Sequence, residues 1–529
     1  MSFINTQFFV FIAVAIIGYY AMNFVKALKG FQWVWLLIVS YGYYISFGWK
    51  PLFFILFTTI TTYLGGRFLH RYITESKEKL EAGKKILTVQ QKKQIKAAAK
   101  KKKRMVVVVM LLCNFGMLAV VKYTNFLIEN INVVLHTGIS AWSILLPIGI
   151  SFYTFQSIGY VIDVYQEKYE PEKNFFKYAL FVSYFPQIMQ GPIGRFNHLA
   201  EQLYKNHEFD LVRIQKGFQL IGWGLFKKMV LADRASVYVN TVFTEYYRFC
   251  GFYNIVAVLL YSVQLYADFS GGMDIVMGVS ECFGIELSEN FRQPFFSKSI
   301  SEFWRRWHIT LGTWMKDYVF YPFALSKNMN KLGKFSKKHF GSFIGKTLPI
   351  CLADLLIFFL VGVWHGAAWK YIAYGLYNGV IIAFSSMMEP VYTKMKKICH
   401  INDKSSMWKG FQILRTFILI NVGWFFDMGV NFTAAVTMMK DVFYQINFAQ
   451  LTDGTIFGMG MSKIDFFIVA VGCLVWLVIS ILKEKGIKIR ESISNLILPV
   501  RWAIYFALIF SVPLLGYIGT SSGFIYAQF

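Results

Sequence analysis

Charged residues are scarce in this sequence of 529 residues, of which only 16% are Asp, Glu, Lys or Arg while 56% are hydrophobic. A typical soluble domain has roughly 25% charged residues, which help to cover its surface in water. The scarcity of charge therefore excludes a water-soluble globular enzyme, and the abundance of apolar residues excludes a disordered chain or a fibrous repeat. The composition indicates an integral membrane protein, most of whose surface faces lipid.

Acidic residues are the rarer charged group, with 29 Asp and Glu against 54 Lys and Arg, so the formal net charge is +25. Residues 67–104 hold 14 Lys or Arg and three Glu, which gives +11 in this one segment. A basic segment beside apolar runs is typical of a cytoplasmic loop, so we predict no nucleic-acid partner. Because Lys, Ala and Gln favour helices, we interpret 67–104 as a solvated cytoplasmic basic helix, with a partner-docking site as the alternative.

Paired cysteines are also missing, because the six cysteines are scattered through the chain without a C-x-x-C pair. Such spacing favours neither a disulfide framework nor a zinc site. We therefore predict no metal site, and nothing indicates a tightly bound cofactor.

Long apolar segments are what the sequence does contain. A membrane-spanning helix needs about 20 mostly apolar residues, and this predicts an all-α polytopic fold with about twelve transmembrane helices. Placing the basic loops in the cytoplasm puts both the N-terminus and the C-terminus outside the cell membrane. The predicted spans lie near residues 7–25, 31–49, 51–69, 105–123, 144–165, 211–231, 252–270, 346–364, 369–388, 409–427, 464–482 and 500–518.

Two long intervals, 172–205 and 271–345, are too polar and too rich in Gly, Pro and Trp to be simple spans. Irregular backbone at membrane depth must be buried in protein or line a wet cavity. We therefore predict re-entrant or interfacial helices around a central polar funnel that binds substrate. Around His308 a polar stripe could bind a donor's phosphates or carrier, and a plain interfacial anchor is the alternative. The predicted funnel-lining residues are Gln190, Arg195, Trp304, Arg305, Trp307, Asp317 and Trp364.

Two of the eight histidines lie in apolar surroundings, His308 in WRRWHITL and His365 in FFLVGVWHGAAW. A buried imidazole must be compensated by a partner, and histidine is well suited to move a proton near neutral pH. From the sequence, two interpretations of this pair are equally favoured: a proton-transfer site, or two histidines with a structural role. Since it has no G-x-S-x-G, Walker or H-E-x-x-H motif, the chemistry we predict is direct transfer, in which a histidine deprotonates an incoming hydroxyl that attacks an activated acyl group.

The sequence ends in FIYAQF, an apolar and aromatic tail. The tail is either a frayed end or a functional segment in which Tyr526 offers a phenol that a base could activate as a nucleophile.

The motifs LPIGISFYTFQSIGYVIDVY (146–165), YFPQIMQGPIGRF (184–196), SEFWRRWHITLGTWMKDYVFYP (301–322) and VGVWHGAAW (361–369) resemble the membrane-bound O-acyltransferase (MBOAT) family. The resemblance is to its bacterial branch of alginate O-acetyltransferases and teichoic-acid D-alanyltransferases. It is strong over residues 1–430 and weaker beyond. We therefore predict an acyltransferase core over 1–430 and a C-terminal transmembrane extension over 431–529.

The resemblance implies the MBOAT fold, with His365 as the active-site histidine, His308 as the second histidine and Tyr526 as a transient acyl carrier. It implies an acyl donor, acetyl-CoA or an acyl-carrier-linked group, that approaches from the cytoplasm. It further implies contact with membrane lipid, a polysaccharide acceptor on the outer side, and a partner that is a periplasmic or extracellular acyltransferase or an acyl-carrier protein. We expect an O-acetyltransferase acting on extracellular or cell-wall polysaccharide. The alternatives are D-alanyl transfer to teichoic acid, a polysaccharide or lipid transporter, and a structural scaffold.

Overall fold

The computed structural model describes residues 5–517, 519 and 523–525. The chain is 78% helical, and the described residues contain no strand beyond one isolated β-bridge. The chain divides into two compact units, Met1–Phe218 with Val276–Ser288, and Gln219–Ile275 with Glu289–Phe529. The predicted all-α class is confirmed, while the predicted division at residue 430 stays a prediction.

Among the described residues, nine α-helices precede the first π-helical turn. They are α1 Thr6–Ala21, α2 Gln32–Ile45, α3 Lys50–Ala82, α4 Val89–Leu135, α5 Ile150–Tyr165, α6 Phe175–Ser183, α7 Phe185–Gln190, α8 Phe196–Tyr204 and α9 Leu211–Leu225. The π turn Phe226–Ala232 continues α9 directly into the next helix.

The described α-helices that follow the π turn include those that carry the candidate active site. They are α10 Asp233–Thr244, α11 Phe252–Cys282, α12 Ile300–Arg306, α13 Ile309–Met315, α14 Tyr321–Ala324, α15 Lys327–His365, α16 Trp369–Met387, α17 Glu389–Ile398, α18 Ser406–Met428, α19 Phe432–Tyr444, α20 Lys463–Glu484, α21 Ile489–Ser494 and α22 Leu498–Leu515. A second π turn, Lys316–Phe320, joins α13 to α14.

Seven of the described helices are long and apolar enough to cross a membrane, and α16 with α17, bent by 59°, forms an eighth candidate. The chain is therefore a multi-pass membrane protein. The predicted segments 31–49, 144–165, 211–231 and 409–427 form α2, α5, α9 and α18, which are shorter or more polar than these spans. The predicted orientation of the two termini stays a prediction.

In the first unit, the basic segment 67–104 is not a single helix, which corrects the prediction. Helix α3 ends before Gly83, and α4 begins after Thr88. The Thr88 hydroxyl accepts a 3.2 Å hydrogen bond from the Gln91 amide, and the Gln91 side chain accepts one of 2.9 Å from the Thr88 amide. This capping box starts a new helix, so the basic residues lie at the adjoining ends of two helices.

Helix α11, of which residues 252–275 belong to the second unit, is the most enclosed of the described spanning helices, since 78% of its apolar window is buried. Such a helix meets protein rather than lipid on most of its surface, and its polar side chains must find partners there. Helices α15 and α16 pack as a close antiparallel pair, and α18 packs on α16. The ends of these helices place the candidate catalytic groups.

Candidate active site

His308 sits at a sharp break between α12 and α13, where it precedes α13 with a left-handed φ of 46°. The break is held by the segment that follows α11. The Arg292 amide donates to the Arg306 carbonyl at 2.9 Å, and the Ile309 amide donates to the Asn290 carbonyl at 3.0 Å. A left-handed conformation is uncommon for a residue with a side chain, and these two backbone bonds hold His308 in it.

The Asn290 side chain fixes the protonation of the buried His308 ring. Its Oδ1 accepts from the Thr310 amide at 3.0 Å and from the Thr310 hydroxyl at 2.9 Å. Because an amide N–H can only donate, the atom facing it is the oxygen. The same Oδ1 lies 3.2 Å from His308 Nδ1, which must then carry the proton in this hydrogen bond. In the neutral ring Nε2 is therefore the basic nitrogen.

His365 is the last residue of α15, and close packing of α15 on α16 determines where this end lies. A Cβ added at Gly375 would lie 2.2 Å from the Phe358 carbonyl, and one added at Gly362 would lie 2.4 Å from the Tyr371 carbonyl. Only glycine allows the two backbones this close. As a result His365 packs against α16, with its ring stacked over Tyr371 at 6.2 Å.

Asp427, near the end of α18, is the carboxylate that accompanies His365. Its Oδ1 lies 3.8 Å from His365 Nδ1, within ion-pair distance but beyond an ordinary hydrogen bond. Its Oδ2 accepts a 2.8 Å hydrogen bond from the Tyr261 hydroxyl on α11. Lys370 donates to the carbonyls of Asp427 and Gly429 at 3.1 and 2.8 Å, which caps the end of α18. The sequence analysis missed both Asp427 and Asn290.

The predicted funnel residue Trp364 brings the two histidines together. Its ring centroid lies 5.7 Å from that of His308 and 5.1 Å from that of His365. Both histidines are almost fully buried, with 3% and 2% of their surfaces exposed. Phe269 of α11 closes the other side of His308, edge to face at 4.9 Å.

Two more predicted tryptophans lie beside this pair. Trp304 donates a 3.1 Å hydrogen bond to Asn378 Oδ1 on α16. Trp307 is buried, stacks on Phe303 at 5.3 Å, and packs against Trp424 of α18 at 5.7 Å. Trp304 thus joins α12 to α16, and Trp307, the residue after α12, contacts the helix that carries Asp427. Their predicted contact with substrate stays a prediction.

The predicted polar stripe on α12 is divided between surface and interior. Arg305 is exposed and donates to the Ser301 hydroxyl one turn earlier at 2.8 Å. Its neighbour Arg306 instead pairs with Glu302 at 2.8 Å and with Glu484 at 2.9 Å, which ties α12 to the end of α20. Asp317 is partly buried in the second π turn.

The other predicted site residues lie elsewhere in the chain. Gln190 and Arg195 belong to the first unit. Gln190 is fully buried, and neither polar atom of its amide has a hydrogen-bond partner within the described part of the chain. Tyr526 lies outside the described residues, which end at Ile525. Within the described ranges, no three His, Cys, Asp or Glu side chains lie close enough together to hold a metal ion.

Known proteins similar to this chain carry enzymatic names. The family model of MBOAT, the membrane-bound O-acyltransferase family, matches residues 171–337, which include His308 and end before His365. A probable alginate O-acetylase AlgI of Pseudomonas putida is 32% identical over 350 residues, covering 64% of this chain and 66% of that protein. The alignment with the AlgI protein of Pseudomonas syringae covers 58% of the latter. The chain thus spans less than two thirds of these two relatives.

Two other relatives carry different names. A peptidoglycan O-acetyltransferase of Helicobacter pylori is 28% identical over 464 residues, covering 82% of this chain and 79% of that protein. A teichoic acid D-alanyltransferase of Bacillus subtilis is 29% identical over 294 residues, covering 54% of this chain and 69% of that protein. The matching family model agrees with the multi-pass helical architecture. The chain therefore carries a membrane-bound O-acyltransferase family domain over residues 171–337.

Proposed function

We propose that this protein is a membrane O-acyltransferase that moves an acetyl group across the membrane onto hydroxyls of an extracellular or cell-wall polysaccharide. The observation that carries the proposal is the buried pairing of His365 with Asp427 beside a second buried histidine. A histidine oriented by a carboxylate is the arrangement that general-base catalysis requires. The alginate O-acetylase and peptidoglycan O-acetyltransferase relatives support acetyl as the group and polysaccharide as the acceptor.

His365 acts as the general base through Nε2, because its Nδ1 faces Asp427. Nε2 takes the proton of the attacking hydroxyl, whose oxygen bonds to the acyl carbon of a thioester donor. The carbon–sulfur bond breaks, and the thiolate leaves with the proton that His365 returns. Asp427 stabilises the imidazolium in between. A base of this kind contributes about 10²- to 10⁴-fold to the rate.

His308 assists through the nitrogen that Asn290 leaves basic. With Nδ1–H directed at Asn290 Oδ1, Nε2 can accept a hydrogen bond from a substrate hydroxyl or from the attacking group. Because Trp364 contacts both rings, a hydroxyl bound at His308 would be presented close to His365. His308 therefore orients the nucleophile.

Tyr526 serves as an acyl relay in this proposal. In the first step the phenol attacks the thioester, giving an O-acyl tyrosine and a free thiol. In the second step a polysaccharide hydroxyl attacks the tyrosine ester, giving the acetylated polymer and the regenerated phenol. His365 accepts and returns one proton in each step.

The donor is an acyl thioester, acetyl-CoA or an acyl-carrier-linked group, that arrives from the cytoplasm as a substrate. A separate periplasmic or extracellular acyltransferase, or an acyl-carrier protein, is the partner. This arrangement needs the C-terminus outside, which is the orientation that the positions of the basic loops predict.

D-alanyl transfer to teichoic acid is the second candidate. The Bacillus subtilis relative, of which this chain covers 69%, favours it. The same residues would act in the same way, with a D-alanyl thioester as donor. The two candidates differ in the acyl group, in its donor and in the acceptor polymer, and the mass of the group added to the polymer distinguishes them.

The experiment is mass spectrometry of wall and extracellular polysaccharide from cells that express wild-type, His365→Ala, His308→Ala or Tyr526→Phe protein at equal levels. We expect an acetyl mass on the polymer with the wild type and its loss with His365→Ala. His339→Ala, which changes an exposed histidine, should leave it intact. Alanine esters in place of acetyl would favour the second candidate.

Retention of acyl groups in both histidine variants would contradict an enzyme and favour the transporter or the scaffold. Loss with His365→Ala but not with Tyr526→Phe would retain the transferase and exclude the relay.

A further inference from the structure

The π turn Phe226–Ala232 buries two consecutive lysines in the second unit, Lys227 and Lys228. Lys227 pairs with Asp274 at 2.7 Å and donates to the Ser270 hydroxyl at 2.8 Å. Lys228 pairs with two carboxylates, Asp233 at 2.7 Å and Asp268 at 2.6 Å, and all three side chains are at most 2% exposed. Neither lysine is used in the acyl transfer described above.

Lys228, Asp233 and Asp268 form a buried ion group that has two carboxyl groups for one amine. Buried carboxylates are stable only when further hydrogen-bond donors satisfy their oxygens. One such donor comes from the end of the chain, because the Ile525 amide donates to Asp268 Oδ2 at 2.9 Å. The Lys228 ammonium lies 4.8 Å from the centre of the Phe524 ring, and Phe524 is only 2% exposed. Both ends of the ion pair therefore contact residues 524–525.

The ion group lies next to the candidate active site along α11. Asp268 holds Ile525, and the following residue, Phe269, packs on the His308 ring. Tyr526 follows Ile525 directly in the sequence. Helix α11 thus supports the His308 ring through Phe269 and binds Ile525, the residue before Tyr526, through Asp268.

We propose that Asp233, Lys228 and Asp268 form an anchor for the C-terminal segment, with Asp268 and Lys228 as positioning residues that hold Phe524 and Ile525. Asp233 keeps the lysine in place, Lys228 binds the Phe524 ring as a cation–π pair, and Asp268 binds the Ile525 amide. The effect of the anchor on acyl transfer rests on the relay role proposed for Tyr526, whereas the docking itself does not.

Hydrogen–deuterium exchange of the full-length protein in detergent measures this docking directly. The quantity is the exchange rate of the Ile525 amide in a C-terminal peptic peptide. In the wild type we expect slow exchange at this amide. Asp268→Leu removes the acceptor, and since a hydrogen bond to a charged group is worth tenfold or more in an equilibrium, exchange should rise by about tenfold or more.

Asp274→Leu is the matched control, because Asp274 is a carboxylate of the same helix paired with the other lysine of the same turn. It should leave exchange at Ile525 unchanged. Phe524→Ala is a second test that leaves the ion group intact, and it should raise exchange at Ile525 severalfold. Unprotected exchange in the wild type, or equal exchange in wild type and Phe524→Ala, would overturn the anchor.

Polymer acylation separates the anchor from the relay. If Asp268 acts by presenting Tyr526, then Asp268→Leu and Tyr526→Phe each lower acylation, and the double variant is no lower than Tyr526→Phe alone. A further loss in the double variant would contradict presentation of Tyr526 as the role of Asp268. Full acylation in Tyr526→Phe together with slow exchange at Ile525 would reject the relay while retaining the anchor.

Discussion

Asp427 Oδ1 lies 3.8 Å from His365 Nδ1, although the two residues end different helices. They meet because α15 and α18 both pack on α16, whose Lys370 also holds the end of α18 through two carbonyls. The distance exceeds that of an ordinary hydrogen bond. Catalytic contacts in unliganded sites are often long and shorten when substrate binds.

Asp427→Asn should lower acyl transfer by about 100-fold or more, because an amide cannot stabilise the imidazolium as a carboxylate does. Tyr261→Phe removes only the hydrogen bond to the second oxygen and should cost about tenfold or less. Both are measured as ester content of the polymer at matched protein levels. An Asp427→Asn variant within twofold of the wild type would mean that His365 works without a carboxylate.

Asn290→Leu should abolish the side-chain contacts that hold His308 and Thr310. We expect a loss of about 2–4 kcal/mol in stability, since several buried groups lose their partner, and a fall in acylation of about tenfold or more. Asn290→Asp keeps an oxygen facing Nδ1 and should restore much of the activity. Thermal unfolding in detergent and acylation are measured together, and equal activity of the Leu and Asp variants would argue against a role for the His308 tautomer.

Gly375→Ala should destabilise the second unit by about 1–3 kcal/mol and lower acylation. The added methyl would meet the Phe358 carbonyl and separate α15 from α16 beneath His365. Gly410→Ala in α18 is the matched control, because nothing lies within 4 Å of its added Cβ, and it should be neutral or stabilising by up to about 1 kcal/mol. Thermal unfolding of both variants in detergent gives the comparison, and equal midpoints would reject the close-packing argument.

Glu167 gives the first unit a small dependence on pH. The hydrogen bond from Lys103, joined by one from Lys77, lowers the pKa of Glu167 below its ordinary value despite partial burial. The ionised form is therefore favoured by folding, and its stabilisation is present above about pH 4.5 and is lost as the pH falls below the lowered value. Since Glu167 is well exposed, the effect should stay below about 1 kcal/mol.

Glu167→Gln tests this in thermal unfolding from pH 3 to 7. The difference from wild type should be largest at the upper end and vanish at the lower end. A difference that grows as the pH falls would have the wrong sign for a lowered pKa.

The sequence was sufficient to find the helical class and the two histidines, because an imidazole in an apolar run is visible without a structure. Asp427 carried a similar signal, because it is a lone acid in the apolar segment INVGWFFDMG. An acidic side chain is costly to bury in a membrane, so such a residue indicates a function. Asn290 carried none. It lies in a polar loop, and only the backbone pairing of residues 290–292 with 306–309 brings it to His308.

The number of spans was harder to predict, since apolarity in the sequence does not separate a helix that meets lipid from one that meets protein. Segments 144–165 and 409–427 are apolar enough to suggest full spans, yet α5 begins only at residue 150, and α18 contains Asn421 and Asp427. Arg305 and Arg306 are adjacent and chemically alike, but one is exposed while the other joins two helices. Tertiary packing decides such differences.

The π turn at residues 226–232 sets the rotation of α10 about the helix axis relative to α9. A residue added to an α-helix advances the next side chains by about 100° around the axis, and a π turn absorbs such an addition locally. Deleting one residue here would restore a regular helix and rotate Asp233 and the rest of α10 relative to α9. The two lysines could then no longer both reach their carboxylates on α11, so this segment tolerates substitution of its outer residues far better than any change in its length.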